Sequence, residues 1–287
     1  MPTAPPARPL RIATVNANGV RAAYRKGMGE WLEGRGVDIL AIQEVRAETT
    51  DLVDLLGSDW SIVHDAAQAT GRAGVALASR IPAVTAPRVA FGADDFDSSG
   101  RWIETDFTVN GQTLTVVNVY VNSGEADTPK QVDKYRFLDA MTNRLSALRA
   151  RNSLSLVVGD FNVGHRELDI KNWKGNVKRS GFLPRERSYL DRFTGALDAP
   201  IECVDGSTGP GLGWVDVGRR WAGEVPGPYT WWSVRGKAFD TDTGWRIDYH
   251  LATPELQAAV TNYTVDRAAA WNKRWSDHAP VIVDYAL

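Results

Sequence analysis

Cysteine is almost absent: Cys203 is the only one in 287 residues. A single thiol excludes an intramolecular disulfide framework and a cysteine-based zinc cluster. It fits a reducing compartment, so a cytoplasmic setting is the expectation. No run of about 18 apolar residues occurs that could span a membrane. The lead from Met1 to Pro9 holds four prolines and no apolar stretch. Residues 1–9 therefore read as a short flexible lead and not as a secretory signal. An excess of charge is missing too, with 33 Lys and Arg against 35 Asp and Glu, a net charge of −2. That argues against a strongly basic, indiscriminate nucleic-acid binder but leaves room for a local basic patch. Repeats, low-complexity tracts and long linkers are lacking, so residues 10–287 read as one domain. No exposed heptad or apolar stripe demands an oligomer, and a monomer is the expectation.

What is present is a core. Hydrophobic residues make up 43% of the chain and charged residues 24%, as in soluble globular proteins. Apolar runs at Arg11–Val15, Val37–Ile42, Ala73–Ala78, Leu154–Val158 and Val281–Tyr285 read as strands. Trp102–Val109 and Gln112–Tyr120 alternate and are joined by Asn110-Gly111, a strong hairpin signal. Residues 130–151 carry Val132, Tyr135, Leu138, Met141, Leu145 and Leu148 at three- and four-residue steps, which predicts one amphipathic helix. Thr49 or Thr50 is expected to cap a shorter helix ending at Leu56. Many strands with a few amphipathic helices suggest packed sheets with helices outside.

The polar residues fall where strands end. Asn16, Glu44, Tyr120, Asp160, Asn162, Asp248, Asp277 and His278 all lie at or just past an apolar run. Loops at one end of a rigid scaffold are where sites are usually built. The set contains no Ser-His-Asp order, no thiol beside a base and no glycine-rich nucleotide loop. Its oxygen donors suit Mg²⁺ or Mn²⁺ better than zinc, and such a site suits a reacting phosphate. Each residue alone has an ordinary explanation. An aspartate after a strand is usually a turn former or helix cap, and Asp160-Phe161-Asn162 can be an Asx turn. It is their joint occurrence that points to chemistry.

Five blocks carry a resemblance: Thr14–Ala22, Ile42-Gln43-Glu44-Val45-Arg46, Val158-Gly159-Asp160-Phe161-Asn162, Trp245-Arg246-Ile247-Asp248-Tyr249 and Ser276-Asp277-His278-Ala279-Pro280. A sixth, between His165 and Arg187, includes Lys174-Gly175-Asn176 and Gly181-Phe182-Leu183-Pro184. In this order they resemble the exonuclease III / apurinic-apyrimidinic endonuclease family, nearest its bacterial type. The Asp-x-Asn and Ser-Asp-His blocks are shared with DNase I-like nucleases and with lipid and inositol phosphatases. The Lys-Gly-Asn and Gly-Trp-Arg-Ile-Asp blocks are more specific to the repair nucleases.

The resemblance implies a four-layer α/β sandwich, two mostly antiparallel sheets flanked by helices. It also implies Mg²⁺-dependent hydrolysis of double-stranded DNA 5′ to an abasic site, leaving a 3′-hydroxyl. Activity on blocked 3′ ends, as 3′-to-5′ exonuclease and 3′-phosphatase, is part of the same expectation. By this resemblance Glu44 is the primary metal ligand, joined by Asn18 and Asp277. Asp160 orients or deprotonates the attacking water, a role for which His278 is the competing choice. Asp248 is expected to hydrogen-bond His278, with Asn16 and Asn162 as neutral donors and Tyr120 at the phosphate or leaving oxygen. Trp231, Trp245 and Ile247 align with the apolar wall that receives a flipped-out abasic sugar, while Trp232 is assigned to the core.

Seven Lys and Arg stand between Lys171 and Arg192 against Glu186 and Asp191. Within that stretch Lys174, Asn176, Lys178 and Arg179 are the expected DNA contacts, together with Arg21 and Lys26. Two departures from the family pattern stand out. Val121-Asn122-Ser123 replaces the usual proline and amide after Tyr120, and position 18 is Asn where animal-type relatives carry Asp. Two other readings compete: a superfamily phosphatase acting on a lipid or sugar phosphate, and a catalytically silent DNA-binding module.

Overall fold

Side chains alternate across a strand, so each strand divides its residues between two layers. The computed structural model describes residues 8–68, 71–89, 96–97 and 99–287. Most of the N-terminal lead, and residues 94, 95 and 98 of the loop before Trp102, lie outside that set. The elements run β1 (Leu10–Asn16), α1 (Val20–Arg25), α2 (Met28–Glu33), β2 (Ile39–Gln43), α3 (Thr49–Leu56), β3 (Ser61–Asp65), β4 (Val75–Ser79), β5 (Trp102–Val109), β6 (Gln112–Tyr120) and α4 (Pro129–Arg151). They continue β7 (Ser155–Asp160), α5 (Pro184–Thr194), β8 (Pro200–Glu202), β9 (Thr208–Pro210), β10 (Val215–Asp216), α6 (Val217–Ala222), β11 (Asp248–Ala252), α7 (Pro254–Gln257), β12 (Val260–Val265) and β13 (Val281–Tyr285).

One sheet has six strands in the order β12-β13-β1-β2-β4-β3, the other five in the order β10-β11-β7-β6-β5. Only β1–β2 and β6–β7 pair in parallel within them. Ile12, Ile39, Ala41, Val75 and Leu77 of the first sheet meet Leu114, Val116, Leu156 and Val158 of the second in one buried cluster. Their neighbours Ala13, Val15, Leu40 and Ile42 point outward and pack under α1, α2 and α3. Val117, Val119 and Val157 point outward from the second sheet and pack under α4 and α5. Three apolar layers therefore separate four structural ones, the expected sandwich.

The hairpin at Asn110-Gly111 forms with φ of 48° and 79°, the left-handed pair that a tight two-residue turn needs. Two local expectations are corrected. Val132 is exposed, and the first turns of α4 instead bury Gln131 and Lys134, which meet Glu186 of α5. A buried ion pair there replaces the apolar stripe. Glu48, not a threonine, is the N-cap of α3, because it forms a reciprocal capping box with Asp51. Thr49 sits inside the helix and bonds His64 Nδ1 at 3.0 Å.

The central layer is not wholly apolar. Gln43 and Thr14 face inward from the first sheet, and Asn118 faces them from β6. Gln43 Nε2 donates to Thr14 Oγ1 at 2.9 Å and to Asn118 Oδ1 at 2.6 Å. Asn118 Nδ2 donates back to the carbonyls of Ile42 and Ala76 at 3.0 and 2.8 Å. These bonds tie the two sheets at one relative position. Asn118→Leu keeps the volume and leaves buried donors and acceptors unpaired. The expected loss is about 1–3 kcal/mol, read as a lower urea midpoint at unchanged slope. An unchanged midpoint would dismiss the bridge.

Candidate active site

Counting by twos along the inner faces leads to one edge of the sandwich. Ile12 and Thr14 lead to Asn16; Val116 and Asn118 lead to Tyr120; Leu156 and Val158 lead to Asp160. Across the second sheet Tyr120, Asp160 and Asp248 are register partners on β6, β7 and β11. Glu44 follows β2 with φ of 48°, which breaks the strand and turns its carboxylate toward them. Gly159 makes the approach of β6 and β7 possible: it has φ of 139°, and a Cβ there would lie 1.9 Å from the Val119 carbonyl.

The two sheets exchange contacts at this edge. Asn16 Nδ2 donates to Glu44 Oε1 at 2.8 Å and to Asp160 Oδ2 at 2.9 Å. The Tyr120 hydroxyl donates to Glu44 Oε1 at 2.8 Å. His278 Nδ1 meets Asp248 Oδ2 at 2.9 Å, and its Nε2 lies 3.9 Å from Asp160 Oδ2. Asp160 Oδ1 accepts from the Asn162 backbone N–H at 2.8 Å, while Asn162 Nδ2 reaches Oδ2 at 3.2 Å. The Asp160–Asn162 segment is thus an Asx turn as well as part of the site.

Burial sets the electrostatics. Burial pushes the Asp160 carboxyl above the usual range; the charge of His278 opposes this and that of Asp248 adds to it. Burial disfavours a charged His278, but the Asp248 charge and hydrogen bond, then Asp160 and Asp277, hold its proton up to about 10. His278 is therefore an imidazolium with its Nε2–H directed toward Asp160. Burial, with the Glu44 and Asp160 charges, raises the Tyr120 phenol well above its ordinary value, so it stays a neutral donor.

On the other side of Glu44, Asn18 Nδ2 donates to Asp277 Oδ1 at 2.9 Å, and Trp231 Nε1 donates to Asp277 Oδ2 at 3.0 Å. Arg46 ion-pairs with Glu44 Oε2. Burial works against ionisation of Asp277, but the His278 charge and these donors keep it below the usual carboxylate range. One atom each of Asp160, Asp248 and His278 also lies within 4.8 Å of the others, a spacing a metal ion could use. In that trio His278 Nδ1 is already engaged by Asp248.

Trp231 and Trp245 pair edge to face at 6.0 Å, and Trp231 lies 6.4 Å from the His278 ring. Ile247 is buried. Trp245 rests on Gly181, where a Cβ would come within 2.7 Å of the indole. Trp232 is buried in the core against Phe239, as expected of it. Lys174, Lys178 and Arg179 are exposed or half-buried, as are Arg21 and Lys26. Arg21 lies 3.4 Å from Asp51. Asn176 spends its Nδ2 on the Asn172 carbonyl at 2.8 Å. The basic stretch is narrower than its charge count: Arg185 stacks on Tyr135, Arg187 on Phe182, and Arg192 bonds the Pro210 carbonyl.

The model of the endonuclease/exonuclease/phosphatase family matches residues 13–278. The chain belongs to that family. It is 28% identical over 273 residues to the exodeoxyribonuclease of Bacillus subtilis, covering 95% of this chain and 98% of that one. Its structure resembles the 3′ phosphatase NExo from Neisseria bound to a product DNA hairpin, with TM-score 0.78, 25% identity and coverage of 96% and 99%. It also resembles an AP endonuclease from Archaeoglobus fulgidus, with TM-score 0.76, 25% identity and coverage of 97% and 100%. The family places the chain among phosphodiesterase hydrolases and bears out the resemblance drawn from its motifs.

Sequence reading passed over three residues of this family member's site. Thr230 is buried, and its Oγ1 accepts from the Ile247 and Asp248 backbone N–H groups at 3.1 and 3.2 Å. Arg101 lies over the Tyr120 ring at 4.6 Å. Ser276 Oγ donates to the Asn16 carbonyl at 2.6 Å and accepts from the His278 N–H at 3.2 Å. Only Ser276 had a signal, its place in the Ser-Asp-His block. After Tyr120, Ser123 does not present a free backbone: its carbonyl accepts from Lys134 Nζ and Ser180 Oγ.

Because the His278 proton is held more tightly folded than unfolded, its pairing stabilises the protein fully below pH 6.5. That contribution is lost as pH rises from there through about 10. Asp248→Asn should lower the His278 titration seen by NMR and should destabilise the fold more at pH 6 than at pH 10. An unmoved His278 titration would show that Asp248 does not hold the proton.

Proposed function

We propose that the chain is a Mg²⁺-dependent DNA-repair nuclease that hydrolyses the phosphodiester 5′ to an abasic site and leaves a 3′-hydroxyl. The same site would remove 3′-phosphates and 3′-terminal nucleotides. The observation carrying this reading is the edge where Asp160, the Asp248–His278 pair and Glu44 converge beside Trp231, Trp245 and the cations of residues 171–179. A lipid or sugar phosphatase leaves that basic stretch without a task. A silent binding module leaves the buried, mutually charged set without one.

Asp160 holds the attacking water. Its raised affinity for a proton suits a general base, and Asn16 and Asn162 fix its orientation. As the water oxygen bonds phosphorus, its proton passes to Asp160; the bond from phosphorus to the 3′-oxygen breaks, and that oxygen takes a proton from solvent to become the 3′-hydroxyl. His278 points its Nε2–H at the non-bridging oxygens, with Asp248 fixing the ring tautomer. Asn16 and Asn162 spend their amide hydrogens on Glu44, Asp160 and the Val121 carbonyl and so act on the reaction through Asp160, while Tyr120 lends its hydroxyl to the phosphate or the leaving oxygen. Donors preset where charge develops are usually the largest contribution to such a rate.

A divalent cation fits the donor chemistry. Glu44, Asn18 and Asp277 offer hard oxygen atoms of the kind Mg²⁺ or Mn²⁺ takes. When bound, the ion would offset charge on the phosphate and on the leaving 3′-oxygen. Trp231, Trp245 and Ile247 would form the apolar wall for an extruded sugar, which is least costly to flip when it carries no base. The phosphate backbone would run over Lys174, Lys178 and Arg179, with Asn176 holding their turn, and over Arg21 and Lys26.

The test is a labelled duplex with one central tetrahydrofuran abasic analogue, incubated with Mg²⁺ beside an undamaged duplex and an EDTA control. A single metal-dependent cut 5′ to the lesion is expected. Asp160→Asn and His278→Ala should each lower that rate by at least ~10²–10³ with the fold intact. Wild-type activity in either variant would overturn its role in the reaction, and no cleavage of either duplex would overturn the nuclease reading. Binding should weaken steeply with salt, and Lys174→Ala should flatten that slope by about one. Salt-independent binding would remove the phosphate contacts.

A further inference from the structure

One groove next to the site includes residues, Trp271 and Val234 among them, that have no task in that hydrolysis. A groove of about 420 Å³ opens beside Asn18 and Asp277, and its walls include Lys26, Val234, Trp271 and Arg274. Neither Trp231 nor Trp245 lines it. Trp271 is 52% exposed and Val234 67%. An exposed indole on a short turn is costly surface to leave in water. Here it stands among cations: Arg274 lies 5.5 Å from its ring, while Lys26 and the adjacent Lys273 are exposed. Arg274 also bonds the Trp232 carbonyl at 3.3 Å, which fixes that wall to the core.

We infer that this groove binds an unpaired nucleotide of the substrate strand next to the reacting phosphate, its base stacked on Trp271 and its phosphate near Lys26. The inference rests on the nuclease reading and adds a specificity to it. Two observations choose the occupant. The groove is continuous with the site through Asn18 and Asp277, so whatever fills it adjoins the reacting centre. Its cations with the half-exposed indole of Trp271 match the chemistry of single-strand binding, in which a groove tracks the backbone and an aromatic ring takes the base. Paired bases already stack on each other, so Trp271 gains a base only where the strand is frayed or mismatched. The groove therefore favours ends that have lost their pairing.

The test uses the full chain with EDTA, so that nothing is cut, and two fluorescein-labelled duplexes bearing a 3′-phosphate. One is fully paired; in the other the last two 3′ nucleotides are mismatched. Wild-type protein should bind the mismatched duplex more tightly in fluorescence anisotropy. Trp271→Ala should weaken that binding about tenfold, the scale of one lost base–aromatic stack, and change the paired duplex less than twofold. Trp271→Phe should retain most of the preference. Equal weakening on both duplexes, no weakening at all, or a Phe variant as poor as Ala would overturn the groove. Wild-type protein that bound neither duplex would overturn the nuclease reading with it. Wild-type protein that bound both equally, with Trp271→Ala unchanged, would overturn the groove alone.

Discussion

Everything at the site depends on two sheets being held in one relative position, because neither sheet contains the site alone. Tyr120, Asp160 and Asp248 come from one; Asn16, Glu44 and His278 follow from the other. The contacts that join them, Asn16 to Asp160 and His278 to Asp248, are each 2.9 Å long. A slide of one sheet by an ångström would open both. Apolar packing between sheets is non-directional and does not by itself fix such a slide. The directional element is the buried exchange between Gln43, Thr14 and Asn118, one step inward of Asn16 and Tyr120 along the same faces. It converts a sandwich that could settle in several offsets into one in which the edge residues meet.

That placement carries an electrostatic cost which the site turns to use. A carboxylate withdrawn from water resists ionisation, and burial raises the proton affinity of Asp160. Asp248 is committed to the His278 ring at 2.9 Å, which leaves Asp160 as the group whose proton affinity rises. Two carboxylates beside the same ring thus acquire different duties from their hydrogen bonds alone. Asp160 is surrounded by amides that orient it without neutralising it, whereas Asp248 has a cation of its own.

How much of this could be read from the sequence follows from the same geometry. The layering was legible because alternation in β5 and β6, with Asn110-Gly111 between them, is a local signal. The edge residues were legible as polar residues after apolar runs, and the ordered blocks around Glu44, Asp160 and Asp277-His278 drew them together. Residues such as Thr230 and Arg101 were not. Each acts through contacts to groups distant in sequence, and nothing in its neighbours marks it. Lys134 was hidden for a different reason. A lysine in a helix reads as solvent-facing, and only the tertiary pairing with Glu186 and the carbonyls of Asn162 and Ser123 explains its burial. The short strands β8, β9 and β10 carry too few residues for any period to show.

Lys134 also supports the segment that follows Tyr120. A proline at the position of Asn122 would stiffen the backbone leaving β6. In this chain the stiffness is supplied from beneath. Lys134 Nζ takes the carbonyls of Ser123 and Asn162 together, and its partner Glu186 accepts from the Gly181 and Leu183 backbone N–H groups at 2.7 and 2.9 Å. One buried ion pair therefore holds three things: the exit from β6, the Asx turn carrying Asn162, and the Gly181 turn on which Trp245 rests. The loop after Tyr120 therefore draws its support from the helix below, through a constraint that no local pattern in the sequence displays.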